Sequence, residues 1–71
     1  MPIKLSQLLE QIKEEQLYEV HYTDIEEKDY ITLYRGHIWF VDMDTLLPFE
    51  IMKLTYSNMQ ANYYLTDLTL N

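Results

Sequence analysis

The sequence predicts an α+β fold in which an N-terminal amphipathic helix packs on a small antiparallel β-sheet. Three observations predict it. Leu5, Leu8, Leu9 and Ile12 recur at the spacing of one helix face. Residues 17–23, 30–35 and 37–42 each split into two alternating side-chain sets, as strands do. The last two runs are joined by Arg35 and Gly36, the chain's single glycine standing where a tight hairpin needs positive φ.

The helix is expected to start between Pro2 and Ser6, because proline suits a first turn and serine a cap, and to end near Gln16. Ser6, Gln7, Glu10, Gln11, Lys13 and Glu14 fill its polar side. A three-stranded meander follows over about residues 17–42, with a polar connection at residues 24–29. Across the Arg35 and Gly36 turn, Tyr34 faces His37, Thr32 faces Trp39 and Tyr30 faces Val41. Across the first connection, Thr23 is expected to face Tyr30, His21 to face Thr32, and Glu19 to face Tyr34. One sheet face then carries Tyr18, Val20, Tyr22, Ile31, Leu33, Ile38 and Phe40, which the helix stripe can cover. The opposite face carries Glu19, His21, Thr23, Tyr30, Thr32, Tyr34, His37, Trp39 and Val41. A slip of one residue in any strand would exchange its faces.

Beyond residue 42 the period is ambiguous. Asp44 and Thr45 suit a turn before Leu46. Met52, Leu54 and Tyr56 alternate with Ile51, Lys53 and Thr55, whereas Phe49, Met52, Tyr56, Met59 and Tyr63 also fit a helical spacing. The abundance of Thr, Ile and Tyr decides for a strand at about residues 50–56. Residues 58–62 then read as a turn and residues 63–70 as a last strand.

Composition limits function. The 71 residues suffice for one domain, and 48% of them are hydrophobic, so disorder is not expected. A domain this small without cysteine points to a reducing compartment, and the N-terminus lacks the apolar run of a signal peptide, so the expected location is cytoplasmic. The longest apolar run, residues 38–41, cannot span a bilayer. Of the net charge of −7, residues 10–29 hold −6, from eight acids against Lys13 and Lys28. Direct binding to nucleic acid or an anionic membrane is thereby disfavoured, since both require clustered cations.

Little chemistry is encoded. Ser6 and Ser57 lie in no nucleophile motif, and one glycine excludes a phosphate-cradling loop. His21 and His37 fall on one expected face with Glu19 and could share an ion, yet no ligand spacing supports it. We therefore assign no metal, cofactor or catalytic residue, and expect a non-enzyme.

Two features remain. Tyr30, Tyr34 and Trp39, flanked by His21 and His37, form an aromatic face. Large side chains with polar tips dominate interface hot spots, although the C-terminal third could equally fold over them. The second feature is an acidic surface of Glu10, Glu14, Glu15, Glu19, Glu26 and Glu27. Glu14 and Glu15 at a helix C-terminus oppose the macrodipole, and Glu10 and Glu14 repel at i, i+4. The expectation is a small acidic protein-binding module that regulates or inhibits a larger partner with a basic surface. Inhibitors encoded by phages or mobile elements have this composition, as do many host proteins. The alternatives are a nucleic-acid mimic that blocks a DNA- or RNA-binding protein, and an accessory protein that self-associates as a homodimer.

Overall fold

A computed structural model describes the backbone of residues 1–69 and the side chains of residues 1–66. The elements run α1 (Leu5–Gln11), β1 (Gln16–His21), β2 (Lys28–Tyr34), β3 (His37–Asp42), β4 (Leu47–Ile51), α2 (Tyr56–Gln60) and β5 (Asn62–Thr69). The fold is α+β: a five-stranded antiparallel sheet, ordered β4-β3-β2-β1-β5, with two helices. Four strands form a meander in chain order, so the expected three-stranded description is incomplete. β5 returns to pair with β1 at the other edge.

Helix α1 begins at Leu5, where the Gln7 side chain accepts a hydrogen bond from the Lys4 amide at 3.1 Å. It is shorter than the periodicity suggests. Ile12 turns to extended backbone (φ −65°, ψ 134°), and Glu15 donates its amide to the Leu33 carbonyl at 3.0 Å. Sheet pairing thus captures the chain about one turn before Gln16. Glu14 and Glu15 consequently lie outside the helix, and the expected macrodipole and Glu10–Glu14 repulsions do not arise. Leu5 and Leu8 are buried and Ile12 half-buried, whereas Leu9 stays exposed.

The β2–β3 hairpin has the expected register, Tyr34 opposite His37 and Thr32 opposite Trp39. Arg35 and Gly36 both take positive φ, 51° and 79°, as a type I′ turn requires. Gly36→Ala is expected to cost about 1 kcal/mol through backbone strain alone, because no atom lies within 4 Å of the added carbon. Arg35→Asn, which tolerates the left-handed region better, should recover part of it; urea unfolding of both variants checks this.

The first hairpin departs from expectation. His21 pairs with Lys28, Glu19 with Tyr30 and Leu17 with Thr32, around a connection at residues 22–27. Side chains hold that register: Lys28 and Tyr30 donate to the Glu19 carboxylate, and Tyr22 donates to Asp29 at 2.6 Å. The displacement is even, so every side chain keeps its expected face. The core gathers Tyr18, Val20, Ile31 and Ile38 under Leu5 and Leu8, with Met52, Ala61 and Tyr63, while Tyr22, Leu33 and Phe40 pack around it.

The expected strand at residues 50–56 is displaced. β4 spans Leu47–Ile51, and α2 occupies much of the region read as a turn. Two side chains explain this. Thr55 caps α2 by accepting the Asn58 amide at 3.1 Å, and Asn58 donates its side-chain amide to the Lys53 carbonyl at 2.7 Å. β5 matches the expected last strand but starts one residue earlier; Leu70 lies outside the described residues. No helix among the described residues is long and apolar enough to cross a membrane.

Candidate functional site

Both helices pack on one side of the sheet. α1 and the α2 cap residue Ala61 contribute to the core on the Val20 side, and the Asn58 carbonyl accepts the Tyr63 hydroxyl there. The opposite face has no helix over it among the described residues. Of the two arrangements open to the C-terminal third, extending the sheet or folding over this face, the structure has the first: β4 and β5 extend the sheet at its two edges and α2 joins the core side.

The register sets Tyr30, Tyr34, Trp39, His21 and His37 on this helix-free face. Trp39 and Tyr30 are half-buried, while Tyr34 is exposed. The Trp39 indole donates to the Tyr34 carbonyl at 3.1 Å, and the Arg35 guanidinium lies 5.1 Å from the Tyr34 ring centre. The two histidines are far apart: His21 lies opposite Lys28 and His37 opposite Tyr34, at opposite ends of β2. Seven residues of strand span about 20 Å, so the shared-ion arrangement weighed from the sequence is not formed. Among the described residues no group of three His, Asp or Glu side chains is placed to hold a metal.

The acidic residues do not form one patch either. Glu10 is on α1, Glu14 and Glu15 precede β1, and Glu26 and Glu27 follow it in the β1–β2 connection. Glu19 lies between them on the helix-free face. Lys28 donates to its carboxylate at 2.9 Å and Tyr30 at 3.3 Å. The Lys28 hydrogen bond chiefly holds the Glu19 carboxyl below its ordinary range, and Glu19 in turn raises Lys28. His21 Nε2 stands 3.9 Å from Glu19, and the His21 ring meets Tyr64 of β5 at 4.6 Å. This end of the face is polar: Glu19 is paired with Lys28 and Tyr30, while the buried His21 Nε2 has no hydrogen-bond partner among the described residues.

The other end is apolar. Leu17, Thr32 and Val41 are buried on this face without belonging to the helix-side core. Beside them, β4 brings Pro48 opposite Val41 and Ile51 opposite Trp39. Phe49 is the extra residue of a bulge, since Glu50 pairs with Phe40 and Pro48 with Val41. Leu46, Leu47 and Phe49 leave more than half of their surfaces exposed. Sequence reading missed this end. The signal was available in Leu46, Leu47, Pro48 and Phe49: an apolar run containing proline fits an edge strand and not a central one. Proline and bulge together also blunt the edge against indiscriminate strand pairing.

Compared with known proteins, the chain matches no family model, no curated protein and no solved structure.

Proposed function

We propose that this chain is a non-enzymatic protein-binding module of the cytoplasm that docks through its helix-free sheet face and regulates or inhibits a larger partner. The supporting observation is that face itself. Four of the five strands present Tyr30, Tyr34, Trp39, Tyr64 and Ile51 on the side away from both helices. Partly exposed aromatic side chains with polar tips are the residue type that dominates interaction hot spots. The aromatic side chains would govern the lifetime of a complex, and the carboxylates would steer a basic partner and raise the on-rate.

The acids flank the face at both ends of β1 and do not run in a row. That spacing favours a partner with basic residues around an apolar centre over imitation of a regular phosphate backbone. The test is affinity capture with quantitative mass spectrometry, comparing the native chain with a Tyr34→Ala/Trp39→Ala variant at low and high salt. We expect a partner that the variant loses by about tenfold or more, and that salt weakens. If circular dichroism shows the double change disturbing the fold, Tyr34→Ala alone serves, since that side chain is exposed. An interactor set identical for native and variant chains would sink the reading. Light scattering addresses the self-associating alternative: a dimer broken by these substitutions would put a second copy on this face.

A further inference from the structure

Three locally unfavourable features meet at one cleft on the helix-free face. The cleft measures about 390 Å³, is mostly apolar, and is lined by Glu15 and residues 32–34 and 46–48. That volume equals about a dozen waters at about 30 Å³ each. Glu15 and Leu46 take positive φ, 67° and 59°, a region that any side chain beyond glycine resists. Among the described residues all three non-glycine positions of this kind lie in turns: Arg35 in the β2–β3 hairpin, Leu46 in the turn entering β4, where its amide donates to the Asp42 carbonyl, and Glu15 in the turn entering β1, where its amide donates to the Leu33 carbonyl. Leu46 is also 52% exposed. Thr32 is 1% exposed, yet its hydroxyl has no hydrogen-bond partner among the described residues. Valine would fill that position without a stranded polar atom. The turns account for the backbone, but the exposed leucine and the unpaired buried hydroxyl beside it do not serve the fold, and their coincidence at an apolar cleft marks a site kept for a ligand.

We infer that this cleft receives an apolar side chain of the partner protein whose sequence neighbour is Lys or Arg. The inference rests on the docking role proposed above and locates its anchor. Leu46, Leu47, Pro48 and Tyr34 provide apolar walls, and the exposed Glu15 carboxylate provides a counter-charge at the rim. Thr32 would gain its missing hydrogen bond from the entering segment once neighbouring side chains move aside. Charge selects the occupant: the chain carries −7, so an anionic segment is repelled. A second copy brings the same charge and is the poorer fit.

The test titrates the full chain, labelled with ¹⁵N, with three capped Gly/Ser peptides carrying Leu-Arg, Leu-Glu or Ser-Arg at the centre, followed by amide NMR. The Leu-Arg peptide should shift the Glu15, Thr32, Tyr34 and Leu47 amides saturably, about fivefold more tightly than either control. Glu15→Gln should reduce the preference for arginine over glutamate, the remaining acids leaving a part of it. Thr32→Val should weaken the Leu-Arg peptide while raising the thermal midpoint by about 4–8 °C, a gain in stability at the expense of binding. Equal responses to all three peptides, or no shift at these amides, would overturn the cleft. Shifts at Tyr30, Trp39 and Tyr64 instead would overturn it while leaving the docking face intact. Silence over the whole face, with capture also unaffected by the Tyr34→Ala/Trp39→Ala change, would end both readings.

Discussion

Replacing Tyr63 by alanine is expected to take away a large fraction of the chain's stability. Tyr63 is the largest fully buried side chain, at 0% exposure. Its ring sits in the core with Leu5, Leu8, Val20 and Met52, and its hydroxyl donates to the Asn58 carbonyl at 2.6 Å. Its backbone also exchanges two hydrogen bonds with Ile3, at 2.8 and 3.0 Å. Removing a buried aromatic ring costs about 3–5 kcal/mol. A chain of 71 residues has a total stability of roughly 4–10 kcal/mol, so the loss consumes a large fraction of it. Tyr63→Phe separates packing from polarity. It keeps the ring but leaves the Asn58 carbonyl without its donor, at a cost of about 1–3 kcal/mol. Chemical unfolding of the two variants measures both effects. A Tyr63→Ala chain with a near-native midpoint would show that the core is centred elsewhere.

Stability is expected to collapse at alkaline pH. Burial pushes the Tyr63 hydroxyl up to about 12, and burial together with Asp29 pushes Tyr22 up further. Both groups resist ionisation when folded and ionise near pH 10 when unfolded. A raised folded pKa gives a contribution fully present below the unfolded value and lost as pH rises toward the folded one. Above pH 10 the unfolded chain binds fewer protons, so stability falls by about 1.4 kcal/mol per pH unit for each tyrosine. Together they remove at most roughly 3 kcal/mol per unit, less what solvent screening takes from the part-exposed Tyr22, so a large share of the stability of a chain of this size is gone by about pH 12. Urea midpoints from about pH 9 to about pH 12 check the slope. Tyr22→Phe should halve it, because one of the two titrating groups is then gone. A midpoint that stays level across that range would contradict the assignment.

Much of the fold was legible in local signals. Leu5 and Leu8 announced the core stripe of α1, and Gly36 announced a turn whose geometry pinned β2 against β3. The faces of the meander survived a mistaken pairing because the first hairpin moved by an even step. What stayed hidden depended on distant partners. The end of α1 is decided by Leu33, whose carbonyl captures Glu15 and which no helical pattern foretells. α2 has five residues, too few to show a period, and exists through the Thr55 and Asn58 hydrogen bonds. At the candidate site, the aromatic residues could be grouped from alternation alone. The cleft walls could not, because Glu15 and Leu46 meet Thr32 only through the turn after β3 and the extension before β1.

The carboxylates on the helix-free side differ in their surroundings. Glu19 is tied up by Lys28 and Tyr30, so its contribution to steering is reduced, whereas Glu15 keeps its carboxylate in solvent. In the proposed docking, one carboxylate beside an apolar cleft would specify a partner more sharply than several spread over the surface.

The placement of β5 beside β1 has a consequence for synthesis on the ribosome. A nascent chain can zip its first four strands as they emerge, since each pairs with its predecessor. The hydrophobic side of that ribbon stays open until residues 62–69 clear the exit tunnel and dock between β1 and Ile3. The sheet is therefore completed late, and contacts closing so great a sequence separation are slow. Until then Val20 and Ile31 are bait for chaperones or for aggregation, so yield in cells should depend on how promptly the last strand is released.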